Sequence, residues 1–260
     1  MNALDEIVAR TRMTVAERRD AVTPRRLASQ AAARLDQDPP RGFQDALRRP
    51  GVSVIAEHKR SSPSAGVIRA DQEIEDVVRA YERAGAAALS VLTESYSFGG
   101  SLQDLRRARA ASALPLLRKD FIVDPFQVVE SVAAGADAIL LIVAALAAPE
   151  LRRLHDLALG FGIGVLVEVH NSSELAIAAE LGVAVIGINN RDLTTLAVRT
   201  DTTFELLGDV PAGTATVSES GWRERAEIEQ LRAAGVDAVL VGEALMRSAS
   251  IETACRELVL

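Results

Sequence analysis

One phrase, a run of small residues around a glycine, returns along the chain at a near-regular interval. Ala84-Gly85-Ala86-Ala87-Ala88-Leu89, Ala134-Gly135-Ala136-Asp137-Ala138-Ile139 and Ala234-Gly235-Val236-Asp237-Ala238-Val239 are versions of it, and Leu181-Gly182-Val183-Ala184-Val185-Ile186 is a looser copy. Each sets a glycine at the end of an amphipathic stretch, which suits the left-handed residue that closes a helix, and then enters a short apolar run. The copies start about 50 residues apart, roughly two strand–helix units of a barrel. Repetition of one supersecondary unit is therefore the plan of the chain.

The other strands fall between the copies. The candidates are Val52–Glu57, Ala88–Leu92, Leu114–Lys119, Ala138–Val143, Gly164–Val169, Val185–Asn189, Thr214–Ser218 and Ala238–Val241. Amphipathic stretches follow most of them, as at Ile74–Ala84, Asp124–Ala134, Ser172–Leu181 and Glu224–Ala234. Alternating strand and helix signals mean parallel βαβ units. An open doubly wound sheet alternates in the same way, but there is no switch-point break and no GxGxxG turn after the first strand. A hydrophobic content of 48% with only 3% aromatics suits aliphatic parallel strands covered on both faces. The expected fold is α/β, a (β/α)₈ TIM barrel with an N-terminal helical extension. The 260 residues form a single domain on this reading, with the barrel over about 51–260. Residues 1 to about 50 form the extension, its Arg- and Ala-rich helical segments broken by Pro24, Pro39-Pro40 and Pro50.

Several functional classes recede. A net charge of −7 argues against a nucleic-acid partner, whose phosphates favour basic domains. Cys255 is the only cysteine, so no intrachain disulfide can form, and a reducing, cytoplasmic setting is expected. Met1–Arg10 carries Asp5 and Glu6 and lacks the apolar region of a signal peptide. The longest apolar run, Ala138–Pro149, falls short of the roughly 20 residues of a membrane helix. The three histidines have no metal-ligand spacing and no nearby cysteine, so no metal is expected. The partner left is a small molecule, and a monomer is favoured.

In such barrels chemistry sits where strands end and βα loops begin, and charges appear there in this chain. The first strand ends Ile55-Ala56-Glu57-His58-Lys59, and alternation turns Glu57 and Lys59 to the same face as Ile55. Lys119 shares the face of Leu117, the fifth strand ends in Glu168, the sixth in Asn189 followed by Arg191, and the seventh runs into Glu219. Two lysines, three glutamates and an amide thus converge from five strands. Buried charges of this kind are costly unless they pair or act. For any one of them the alternative is a charge that merely begins a solvated loop, and for the set an interior ion-pair network that serves only stability stays open.

A second signal is anionic. Ser220-Gly221 follows the seventh strand and Gly242-Glu243 the eighth, the loops that commonly cradle phosphate in this fold. Ser62, in Ser62-Pro63-Ser64 after the first strand, could add a hydroxyl. Phe98, in a Gly-flanked loop after the second strand, either walls an aromatic substrate or anchors its own loop, and Trp222 reads as a packing residue. Ser218-Glu219-Ser220-Gly221 is not a GxSxG nucleophile elbow.

These residues fall in a family pattern. Ile55-Ala56-Glu57-His58-Lys59-Arg60-Ser61-Ser62-Pro63-Ser64 resembles the first-strand signature of indole-3-glycerol phosphate synthases, Leu117–Ile122 their third-strand signature and Gly187–Leu193 their sixth. Ser218-Glu219-Ser220-Gly221 and Val241-Gly242-Glu243-Ala244-Leu245-Met246 complete the set, and the resemblance runs from about residue 3 to the C-terminus. It implies a carboxy-lyase of tryptophan biosynthesis that closes a carboxyphenylamino-deoxyribulose phosphate to an indole, with loss of CO₂ and water and without a cofactor. By the same resemblance Lys119 is the general acid at the ketose carbonyl. Lys59 meets the anthranilate carboxylate and assists later proton transfers, and Glu168 takes part in acid–base steps. Glu57, Asn189 and Glu219 would position the anilino nitrogen, hydroxyls and lysines, and Arg191 would lie near the carboxylate. Ser62, Ser220, Gly221, Gly242 and Glu243 would line the phosphate pocket, with Phe98 beside the aryl ring.

Two positions depart from the pattern. His58 stands where an aromatic or aliphatic residue is common, and Ala65 where a lysine is common. Another phosphate-binding barrel enzyme, such as a sugar-phosphate isomerase or Schiff-base aldolase, is the rival reading. An aldolase needs one barrel lysine, whereas Lys59 and Lys119 come as a pair with three glutamates. A non-catalytic barrel would be expected to have lost mouth charges.

Overall fold

Among the described residues, 3–260, eight parallel strands each pair with the next and close into a barrel. They are β1 (Ser53–His58), β2 (Ala88–Leu92), β3 (Leu116–Lys119), β4 (Ala138–Ile142), β5 (Gly164–Val169), β6 (Val185–Asn189), β7 (Ala215–Glu219) and β8 (Ala238–Val241) in this computed structural model. Closure is made by β8 against β1, with Ala56 opposite Val241. Every expected strand is present, with ends within two residues of those read from the sequence. The third starts late because Pro115 has no N–H to give a ladder, and the fourth ends early because Val143–Ala145 winds into a 3₁₀ turn. A hairpin of Ser61–Ser62 with Gly66–Val67 was not expected. Met1 and Asn2, the start of the expected extension, lie outside the described residues.

The repeated phrase works as its composition implies. Gly85, Gly135, Gly182 and Gly235 have φ of 94°, 93°, 73° and 91°. Past three of them the next amide reaches back into the helix, Ala86 to Tyr81 O, Ala136 to Ser131 O and Val236 to Leu231 O. This left-handed closure satisfies carbonyls a helix end would otherwise leave bare.

Strand alternation divides the core. Inward residues such as Ile55, Leu117, Leu140, Leu166, Val217 and Leu240 fill the barrel. Outward residues such as Val54, Leu89, Val91, Leu116 and Val239 pack under helices.

The extension reaches both ends of the barrel. Helix α1 (Ala3–Ala21) brings Leu4, Ile7 and Val8 against Phe121 and Leu193 at the mouth, and its Arg10 stacks on Tyr96, 3.4 Å from the ring centroid. Helix α2 (Pro24–Gln37) starts at the expected break, with Thr23 as cap and Pro24 in the first turn, where a missing N–H costs nothing. Helix α3 (Phe43–Leu47) plugs the base, with Phe43 and Leu47 beneath Ala88, Ala138 and Val185.

Candidate active site

A cavity of about 280 Å³ opens at the C-terminal end of the strands. Glu57, Lys59, Lys119, Glu168, Asn189 and Glu219 all line it. So do Phe98, Arg191, Ser220, Gly221, Gly242 and Glu243, over a floor that includes Leu140, Ile142 and Leu240. Strand parity is the cause: the inward residue at the end of each strand sits one layer above the apolar interior.

Two ion clusters occupy the floor. Lys119 Nζ donates to Glu168 Oε2 and to Glu219 Oε2, each at 2.7 Å. Lys59 Nζ lies 2.7 Å from Glu57 Oε1, and Ser90 Oγ donates to Glu57 Oε2 at 2.9 Å. Glu57, Glu168 and Glu219 are each about 1% exposed. Burial disfavours the Lys119 ammonium, but Glu168, Glu219 and Glu57 outweigh it and hold its pKa well above the ordinary lysine value. Burial likewise works against the Glu168 carboxylate, yet Lys119 and His170 hold that group well below the usual range. Glu219 goes the other way: burial, with the charges of Glu168 and Glu57 adding, pushes it up to about 7 against the pull of Lys119. One cation between two carboxylates thus leaves one firmly ionised and the other poised near neutrality, and the pair titrates as a unit.

Close packing lets these groups meet. A Cβ on Gly187 would overlap Glu219 Oε1, and one on Gly242 would lie 2.6 Å from Glu57 Oε1. Only glycine leaves those carboxylates their positions. Asn189 Oδ1 accepts from Ser220 Oγ at 2.9 Å and from Arg191 N at 3.0 Å, so the loops after β6 and β7 are stitched together. Arg191 Nη1 also donates to Leu196 O at 2.9 Å, which turns its guanidinium along the rim.

The rim after β7 and β8 is a backbone cradle. Gly221 has φ of 100° and Ser220 φ of 67°, the latter uncommon for a residue with a Cβ. The Glu243 carboxylate turns away to Arg247 Nε at 2.9 Å, leaving its main chain toward the rim. Ser62 stands apart from this group. It lines a smaller annexe of about 70 Å³ with Leu4, Ile7, Pro63, Phe98 and Leu196, and its hydroxyl accepts from Ala65 N at 3.2 Å. The hairpin after β1 carries it there, which strand reading alone did not anticipate.

Phe98 sits in an anchored loop and also lines the cavity. The Glu94 carboxylate accepts from the amides of Tyr96, Ser97 and Phe98 and fixes the loop. The ring then lies 6.3 Å from that of Phe121, walling cavity and annexe together. Trp222 packs as expected, its Nε1 donating to Ser218 Oγ at 2.8 Å, but it also lines the cavity. His58, one of the departures from the family pattern, is not among the residues that line the cavity: it is 2% exposed, and its Nε2 has no hydrogen-bond partner among the described residues. The sequence reading missed Ser90 and Gly187. Both occupy inward parity positions, the one signal that could have marked them.

Comparison with known proteins adds an independent line. The family model described as indole-3-glycerol phosphate synthase matches residues 4–258. The chain is 48% identical over 258 residues to the indole-3-glycerol phosphate synthase of a Nocardioides species, covering 99% of this chain and 98% of that one. It is 45% identical over 261 residues to the protein of the same name from Koribacter versatilis, covering 99% of each. Among solved structures, 3-hexulose-6-phosphate synthase from Salmonella typhimurium superposes with a TM-score of 0.64 at 14% identity, over 80% of this chain and 96% of that one. Thiamine phosphate pyrophosphorylase from Pyrococcus furiosus does so with a TM-score of 0.62 at 16% identity, over 84% and 96%. At such identity these two share the fold alone.

Proposed function

The chain belongs to the indole-3-glycerol phosphate synthase family, and from that premise we propose how its cavity carries out the family's ring closure. The enzyme is a carbon–carbon lyase that converts 1-(2-carboxyphenylamino)-1-deoxyribulose 5-phosphate to indole-3-glycerol phosphate, CO₂ and water in tryptophan biosynthesis. The arrangement that carries the residue assignment is Lys119 held at 2.7 Å by both Glu168 and Glu219 on the cavity floor.

Closure requires a ketose carbonyl to accept a proton as the aryl carbon attacks it. Lys119 is the acid, an ammonium fixed by carboxylates and aimed where negative charge develops. Lys59 and Arg191 hold the aryl carboxylate until it departs, while Glu57 and Ser90 fix Lys59. Glu168 and Glu219 take up and return protons in dehydration, Glu219 being poised near neutral pH. Asn189 holds Ser220 and the Arg191 backbone in register. The aryl ring lies against Phe98 and Phe121 on the annexe side, where Ser62 shapes the loop. The phosphate rests on the amides of Ser220, Gly221, Gly242 and Glu243, with the Glu243 carboxylate turned away so that like charges do not meet.

No helix of the described residues is long and apolar enough to cross a membrane. We assign the protein to the cytoplasm as a monomer; sedimentation tests the second assignment. The assay for the function is indole fluorescence with the unsubstituted substrate. Product is expected, and none at high enzyme concentration would overturn the reading. A complex with the phosphate bound away from the Gly221–Gly242 rim would overturn that placement.

A further inference from the structure

Behind Glu168 lies a second cavity of about 350 Å³, lined by polar side chains that include His170, Asn171, Glu174 and Asn190. Asn189 and Leu193 belong to the walls of both this cavity and the substrate cavity. A line of titratable groups crosses from one to the other. Lys119 Nζ is 2.7 Å from Glu168 Oε2, the other oxygen of Glu168 is 3.3 Å from His170 Nε2, and His170 Nδ1 is 2.9 Å from Glu174 Oε2. Glu174 is held by His170 N at 2.8 Å and by Asn171 Nδ2 at 2.7 Å. His170 Nε2 is buried and has no aligned hydrogen bond among the described residues, so its approach to Glu168 is a contact of opposite charges. The charged groups around the ring are Glu168 on β5, which His170 follows, and Glu174 on the helix Ser172–Leu181, with Asp192 and Arg199 across the second cavity.

The ring closure consumes a proton from solvent. A bond forms between the aryl carbon and the keto carbon, the aryl–carboxyl bond breaks, and its electron pair returns to the ring as CO₂ leaves. The keto oxygen departs as water. One of that water's hydrogens comes from the methylene beside the nitrogen. The other must come from solvent, because the carboxylate carries none. On the proposed placement, bound substrate would fill the mouth of the substrate cavity, through which such a proton would otherwise enter.

We propose that His170, with Glu174, is a positioning residue that returns this proton from the second cavity through Glu168 to Lys119 in each turnover. The inference rests on the ring-closure reading. Burial disfavours the imidazolium, but Glu168 and Glu174 raise the His170 pKa to about 10, so the ring is charged at neutral pH. Lys119 is held higher still, so net transfer from the imidazolium to a lysine that has given up its proton runs downhill. His170 Nε2 gives its proton to Glu168 Oε1, the transient carboxylic acid turns and hands that proton to Lys119 Nζ, and the neutral imidazole is recharged by solvent in the second cavity.

The test uses the full chain, its substrate, weak buffer and added imidazole. His170→Ala should lower kcat about tenfold or more with KM little changed and raise the solvent deuterium effect on kcat. Imidazole entering the space left should restore turnover saturably. A kcat within about twofold of the parent, or a loss that imidazole does not restore, overturns the proposal, since a merely structural role would give the latter. Should the alanine variant not fold, Glu174→Gln keeps the ring and should still lower kcat and raise the isotope effect; no change in either overturns it. A parent protein that forms no indole would sink the ring-closure reading itself, an outcome visible without any variant.

Discussion

An ammonium buried between two carboxylates, as Lys119 is between Glu168 and Glu219, is expensive to assemble and is worth its cost where charge must appear and vanish. On the proposed assignment its work arises as the ketose oxygen gains charge, so Lys119→Ala is expected to lower kcat by about 10²–10⁴ with little effect on KM. The partner proposed for Lys59 is a substrate carboxylate present before the reaction begins, so Lys59→Ala should raise KM as well. Steady-state indole fluorescence separates the two, and a Lys119→Ala protein that lost only affinity would reverse the roles. His58 is the opposite case, a polar ring with no task in the cavity. Burial, with Arg60 adding, lowers its pKa from 6.5 to about 4. Between those values the unfolded chain binds a proton the folded chain refuses. Stability is therefore lost as pH falls from 6.5 to about 4, in total about 3 kcal/mol. His58→Leu should raise the melting temperature at neutral pH by removing an unpaired buried nitrogen. The advantage should widen as the medium is acidified, and melts that stay parallel from pH 7 to 4 would contradict this.

At the scale of the element, the aspartate in the repeated phrase has a use that composition did not disclose. Asp237 accepts from Thr216 N at 2.7 Å and Asp137 from Leu116 N at 2.9 Å, so each pins the base of the preceding strand. Asp137 does more. It receives Arg109 Nη1 at 2.6 Å, Arg34 Nη2 at 2.9 Å and Arg41 N at 2.9 Å, which ties α2 and the segment after it to the barrel. Asp137→Ala would leave two buried guanidinium groups short of a counter-charge and should cost about 3–5 kcal/mol. Asp237→Ala gives up a hydrogen bond to the backbone and should cost about 1–2 kcal/mol. Urea unfolding of both variants checks the order, and equal costs would remove the special place given to Asp137.

Across the whole molecule the extension holds the mouth through α1, the flank through α2 and the base through α3, so extension and barrel are expected to unfold together as one domain. Trp222 fluorescence and far-UV circular dichroism should report coincident transitions; an earlier loss of helix with Trp222 still buried would separate the two parts. Much of this architecture was legible in the sequence. The glycine-closed repeat set the strand–helix units, and the period of two along each strand turned Glu57, Lys119, Glu168, Asn189 and Glu219 inward. Both are local properties, carried by residues that are neighbours in the chain. What remained hidden depends on contacts between distant segments: that Lys119 takes both Glu168 and Glu219 and so leaves Glu57 to its strand neighbour Lys59, that Gly187 makes room for a carboxylate of β7, and that Ser62 shares the annexe with Leu4, Ile7 and Leu196. Arg118 is the plainest instance, fully buried on the helix-covered face between Asp120 and Glu130. Parity told which way each side chain points; only barrel closure, which sets the register and distance between strands far apart in sequence, decided what it meets.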